Sequence, residues 1–222
     1  MSAPEQWAEV DRYFIDSLVK EDPALAATRE SSGETLFPGI DVAPNMGAFL
    51  GLLVQLTGAK RILEIGTLAG YSAIWMARAA GSDAQITTCE LEATNAKVAQ
   101  ENFEHAGVAD RVQIRRGPAA ETLQQLIAEQ PEPFDLVFID ADKRSNPTYL
   151  KSAVSLSRPG TAILIDNTVR QGQVVQADSE NPDVLGTRQL IADIAADGRL
   201  TGTALQTVGL KGWDGFTLVR VS

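Results

Sequence analysis

The sequence predicts an α/β fold, a doubly wound parallel sheet of about seven strands. Three observations carry the prediction. Short apolar runs readable as buried strands alternate with helix-period segments. A glycine turn joins the first such run to a helix, and the last two runs flank a turn-rich segment. The chain has 222 residues, 44% of them apolar, room for one sizeable core and too little for two ordinary domains. A single domain over 1–222 is therefore expected, with 1–57 as a helical lid or dimer arm and 58–222 as the core.

The predicted strands lie at 61–65, 85–89, 111–115, 134–139 and 161–165, each a short run suited to burial on both faces. The first three connections read as crossover helices. The segment 72–80 follows a glycine-rich turn, 93–106 ends at Gly107, and 119–129 stops before Pro131-Glu-Pro133. Alternating runs at 200–208 and 215–221 flank Gly209-Leu-Lys-Gly-Trp-Asp214 and predict a closing antiparallel hairpin. Ahead of the first strand, 7–19, 23–30 and 46–56 look helical, separated by the stretch 31–44. The polar stretch 171–182 is long for a connection and reads as a mobile substrate loop or a disordered insertion.

Charge and composition exclude several roles. A net charge of −10 repels a nucleic-acid backbone and gives no footing on anionic lipid. One cysteine and one histidine cannot build a disulfide or a Cys/His zinc site, so any metal must take oxygen ligands. The N-terminus lacks a signal-peptide pattern, and no stretch reaches the length of a membrane span, so a soluble, cytoplasmic protein is expected.

In Leu63-Glu-Ile-Gly-Thr-Leu-Ala-Gly-Tyr-Ser72, Gly66 and Gly70 permit a tight turn and close ligand approach. Leu68 stands where the dinucleotide fingerprint needs its second glycine, which argues against a pyrophosphate. Glu64 suits a cationic amine and Ser72 a carboxylate, the two charges of an amino-acid tail. Glu90, ending the second strand, can accept from both hydroxyls of an unphosphorylated ribose.

Phe138-Ile-Asp-Ala-Asp-Lys143 ends the fourth strand and Ile165-Asp-Asn167 the fifth, and in a doubly wound sheet these strands are neighbours about 4.8 Å apart. Asp140, Asp166 and Asn167 then converge as a hard oxygen set for Mg²⁺ first, or for Mn²⁺ or Ca²⁺. Lys143, three residues beyond Asp140, is placed to act as a base. Asp142 and His105 read as structural, and Cys89 as a buried small side chain.

Taken together, these motifs resemble the cation-dependent class I O-methyltransferases of the catechol and caffeoyl-CoA type, over roughly residues 35 to 222. The resemblance implies a Rossmann-like methyltransferase sheet and S-adenosylmethionine (SAM) as methyl donor. Glu64, Gly66, Thr67, Gly70, Tyr71 and Ser72 would surround its methionine end, Glu90 its ribose and Ala119 its adenine, with Val42 closing over it. Asp140 matches both the donor and metal sides, Asp166 and Asn167 the remaining metal ligands, and Lys143 the general base. Two departures stand out. Gly117-Pro-Ala-Ala120 offers no polar side chain to adenine, and Arg170 with the loop 171–182 permits an acceptor bearing negative charge. The expected acceptor is a small hydroxylated, catechol-like molecule. A homodimer is expected from the apolar N-terminal segments together with the family resemblance. Competing readings are an NAD-dependent dehydrogenase and a non-catalytic SAM-binding protein.

Overall fold

The computed structural model describes Ser2 to Ser222. Its centre is a seven-stranded sheet in the order β3-β2-β1-β4-β5-β7-β6. The strands are β1 (Arg61–Ile65), β2 (Gln85–Glu90), β3 (Val112–Arg116), β4 (Phe134–Ile139), β5 (Ser157–Asp166), β6 (Leu200–Gly209) and β7 (Gly212–Val221). The first five pair in parallel, while β7 runs antiparallel between β5 and β6. The expected hairpin is present, with strands reaching further into the turn, so only Leu210 and Lys211 lie between them.

Side chains of successive strand residues point to opposite faces, so each central strand feeds two cores. Ile62, Leu136, Phe138 and Leu164 pack with α3 (Pro44–Thr57), α4 (Tyr71–Ala80) and α5 (Ala93–His105). Leu63, Ile65, Val137 and Ile163 pack on the other face, against α6 (Ala119–Glu129), α7 (Asn146–Ser155) and α8 (Pro182–Ala196). Burial on both faces is why these strands read as continuous apolar runs rather than alternating ones.

Several sequence expectations change. Strand β3 is shifted by one residue, and β5 begins four residues earlier than expected. Helices α7 and α8 were not anticipated, although each carries proline in its first turn, and α8 buries Val184, Thr187, Leu190 and Ile194 along one face. Gly186 hides the second pattern by lowering helix propensity. Its reason is packing: a Cβ there would lie 2.4 Å from the Lys143 carbonyl oxygen. The stretch 171–182 is ordered at its start, where 170–175 form short 3₁₀ turns interrupted by a kink at Gln171 and Gly172, seated against the Trp213 ring and tied to α8 by Arg188 Nη1 donating to the Val174 carbonyl at 3.2 Å.

The N-terminal segments, α1 (Ala3–Leu18), α2 (Pro23–Ser31) and α3, fold back over the sheet. Asp11 of α1 joins three elements, accepting from Asn45 Nδ2 at 3.1 Å and from the Leu210 amide at 2.8 Å. Lys211 Nζ donates to the Gly39 carbonyl at 2.8 Å, tying the hairpin turn to the stretch before α3. Among the described residues, no helix is long and apolar enough to cross a membrane.

Candidate functional site

At the carboxyl ends of β1 and β4 the chain turns away on opposite sides, leaving the crevice that such sheets use for ligands. Gly66 opens the turn after β1 with φ of 105°, and a Cβ there would stand 2.1 Å from the Asp140 carbonyl oxygen. Only glycine lets these two strand ends approach so closely. Gly70 departs from its expected ligand contact. It takes φ of 85° at the start of α4, its open face is filled by the Phe103 ring, and it does not line the cavity.

A cavity of about 840 Å³ lies above this turn. Gly66, Thr67, Tyr71 and Ser72 line one side, Glu90 and Ala119 another, and Val42 closes from the N-terminal segment. The Glu90 carboxylate holds the turn in place, accepting from Leu68 N at 2.9 Å, Glu92 N at 2.9 Å and Asn95 Nδ2 at 3.2 Å. Tyr71 presents its ring to the cavity while its hydroxyl donates to Glu21 Oε1 at 2.5 Å, and Arg29 closes on the same carboxylate at 2.7 Å. The segment between α1 and α2 is thereby fastened to the wall of the cavity.

Glu64 requires a correction. It is fully buried and does not line the cavity, so it cannot directly contact an amine there. Ser72 Oγ donates to its Oε1 at 2.5 Å and Thr88 Oγ1 to its Oε2 at 2.6 Å, and Thr88 in turn meets Thr67 Oγ1 at 2.5 Å. Burial pushes the Glu64 carboxyl up to about 7, against the two hydroxyls that lower it. Glu64 therefore acts from beneath the floor, orienting Ser72 and, through Thr88, Thr67. Thr88 escaped the sequence reading because only the β1–β2 register, Glu64 opposite Thr88, brings it there.

The second group of expected residues does assemble. Ile139 pairs with Ile165 across β4 and β5, so Asp140 and Asp166 follow side by side. Asn167 comes next with φ of 55° and donates its amide to Asp166 Oδ1 at 2.8 Å. Lys143 is buried and its Nζ lies 2.6 Å from Asp140 Oδ1. Burial, then the charge of Asp140, pushes the Asp166 carboxyl up to about 7. Among the described residues no three His, Cys, Asp or Glu side chains gather as a metal group. The third oxygen in this set comes from an amide. Two crowded carboxylates, one of them without a cationic hydrogen-bond partner, fit a hard divalent cation.

Asp140, Asp166 and Asn167 line a second cavity of about 320 Å³, roofed by Asp11, Met46 and Phe49. Asp140 and Asn167 belong to the walls of both cavities, as do Asp41 and Val42. Arg170 lines neither. Its guanidinium turns to Asp183, 3.7 Å away, so Arg170 itself brings no charge to these walls. Asp142 accepts from the Ser145 and Tyr149 hydroxyls and also lines the larger cavity. Burial pushes the Cys89 thiol up to about 12 and leaves it inert.

Similarities to known proteins agree with this geometry. The O-methyltransferase family matches residues 16–222. A catechol O-methyltransferase of Niastella koreensis is 48% identical over 212 residues, covering 96% of each chain. An O-methyltransferase of Bacillus cereus solved in complex with SAH is 47% identical, with a TM-score of 0.96 over 98% of this chain and 99% of that one. One from Streptomyces achromogenes involved in tomaymycin synthesis, solved with SAM, is 42% identical, with a TM-score of 0.97 over 100% of both chains. The dehydrogenase alternative falls with these matches, and the chain belongs to the O-methyltransferase family.

Proposed function

We propose that this chain transfers a methyl group from SAM to a hydroxyl of a small catechol-like acceptor, with a divalent cation held by Asp140, Asp166 and Asn167. The observation that carries the reading is the meeting of two cavities, of about 840 and 320 Å³, at the shared wall of Asp140 and Asn167. A transferase needs two ligands in contact and bulk water kept out. The relatives named for catechol methylation, and those solved with SAM and SAH, support the assignment of the two cavities.

In this reading the larger cavity takes the donor, with Ser72 at its amino-acid end, Glu90 at its ribose and Ala119 at its adenine. Glu64 sets the Ser72 hydroxyl from below. SAM, when bound, supplies a methyl on a positively charged sulfur. A divalent cation, when bound, supplies the Lewis acidity that lowers the pKa of a neighbouring hydroxyl; Mg²⁺ suits the oxygen set, with Mn²⁺ and Ca²⁺ as alternatives. Lys143 serves as the base only as the neutral amine, receiving the acceptor's proton on the Nζ lone pair while an N–H keeps donating to Asp140 Oδ1. Met46 and Phe49 pack the acceptor ring, and Val42 separates the two ligands from solvent.

Residues 1–57 serve as a lid over a single catalytic domain, and the exposed Tyr13 and Leu18 of α1 and Leu56 of α3 support a homodimer. Light scattering on the purified protein tests the dimer, and a monomer at assay concentration rejects it. The central test is methyl transfer from SAM to a panel of catechols with and without chelator. Transfer that chelator abolishes and Mg²⁺ restores is expected. Full activity in chelator, or no transfer to any vicinal diol, rejects the proposal.

A further inference from the structure

The loop leaving β5 carries an unusual concentration of left-handed backbone. Asn167, Arg170 and Gln171 have φ of 55°, 54° and 54°. Asparagine tolerates this region, whereas arginine and glutamine meet steric opposition there and need surrounding structure to hold them. That structure is β7. Asp214 Oδ1 accepts from the Val169 amide and the Arg170 amide, each at 3.0 Å. On the two sides of this clamp, Thr168 N donates to the Gly215 carbonyl at 2.9 Å, and the Trp213 ring covers Gly172.

Asp214 holds the backbone of Arg170 and not its guanidinium, which turns to Asp183. One carboxylate oxygen thus takes the consecutive backbone amides of Val169 and Arg170, beginning two residues after Asn167, in the manner of a small anion seated in a nest of N–H groups. Asp214 also lines the smaller cavity beside Asp166 and Asn167.

We propose that Asp214 is a positioning residue for the cation site: by clamping the Val169 and Arg170 amides it holds the strained turn that sets Asn167 beside Asp166. The inference rests on the reading of Asp140, Asp166 and Asn167 as cation ligands, and extends it to a residue from the far side of the hairpin. Geometry carries the effect. Asparagine at 214 keeps an acceptor oxygen in the same place without the charge, while glutamate keeps the charge and displaces the oxygen by one methylene.

The test is titration of metal-free full-length protein with Mn²⁺, free Mn²⁺ being followed by electron paramagnetic resonance, with neither SAM nor acceptor present. Asp214→Ala is expected to weaken binding by roughly tenfold or more, Asp214→Glu similarly, and Asp214→Asn to stay within about threefold of the wild type. Circular dichroism of each metal-free variant verifies the fold, and Asp214→Glu decides the matter if Asp214→Ala does not fold. Wild-type affinity in Asp214→Glu or in folded Asp214→Ala overturns the inference. Asp214→Asn as weak as Asp214→Ala overturns it in favour of a purely electrostatic role. A wild-type protein that binds no Mn²⁺ removes the cation reading itself, and this inference with it. Wild-type binding left unchanged in all three variants removes only Asp214.

Discussion

Along the larger cavity, the functional side chains come chiefly from residues 64–72 and the facing end of β2, and they satisfy one another: Ser72 and Thr88 serve Glu64, while the turn amides serve Glu90. The smaller cavity is assembled from parts that lie far apart in the chain, including Asp11, Phe49, Asp166 and Asp214, and of its two central carboxylates only Asp140 pairs with a lysine. The first wall is a preformed cradle whose polar groups are already paired. The second holds charge in reserve for something it must bind. A buried polar network that is complete favours rigidity, whereas crowded carboxylates are stable only when an added positive charge compensates them.

The largest expected effect breaks the second wall. Asp166→Ala should lower methyl transfer at fixed Mg²⁺ by roughly 10³-fold, because charge stabilisation at the reacting oxygen is lost. Initial rates against Mg²⁺ concentration measure this, and a variant as responsive to Mg²⁺ as the wild type would contradict the reading of that wall.

Glu64 sharpens the contrast from the other side. The folded protein favours its protonated form, with the carboxyl pushed up to about 7 from 4.5 by burial. Its contribution to stability is therefore greatest below about 4.5 and is lost as pH rises towards about 7, by up to roughly 3 kcal/mol. Glu64→Gln removes that dependence, so its stability relative to the wild type should climb across this window. Urea midpoints at about pH 5 and about pH 8 check the slope, and parallel curves for the two proteins would show that Glu64 stays ionised when buried.

Lys143 lines the larger cavity and pairs with Asp140, which belongs to both. Lys143→Ala should reduce kcat by roughly 10²-fold while leaving SAM affinity nearly unchanged, as a proton acceptor rather than a binding group would. Calorimetry with SAM beside turnover measurements separates the two, and an equal loss in both would place Lys143 in the cradle instead. The smallest effect concerns the fastening of the arm. Tyr71→Phe removes the hydroxyl that donates to Glu21 and should cost about 1 to 2 kcal/mol of unfolding free energy. Thermal melts report it, and an unchanged midpoint would mean that the Arg29–Glu21 pair holds the arm alone.

The difference between the walls also explains what could be read in advance. Gly66 and Ser72 were legible because strand, turn and helix follow one another within a single stretch, and backbone sterics dictate that turn locally, whereas Thr67 and Tyr71 came from the family resemblance. Asp140, Asp166 and Asn167 were legible through one further step, the adjacency of β4 and β5. Side-chain direction was not legible: Glu64 points beneath the floor, the Phe103 ring fills the face of Gly70, and Arg170 faces Asp183. Helix α8 was missed because Gly186 weakens its local signal for the sake of a close packing contact that no local pattern announces.

The amino-acid order by itself determined the alternation of strands and helices, the glycine turn, and the carboxylates waiting at two strand ends, since hydrophobic period and backbone sterics act within a few residues. Only the tertiary structure decided that Thr88 joins Ser72 on the Glu64 carboxylate, that Asp11 roofs the smaller cavity, and that Asp214 grips the turn behind Asn167. Those placements depend on strand register and on the path of the arm. Both are set by burying the two faces of the sheet, a requirement of the whole chain rather than of any segment.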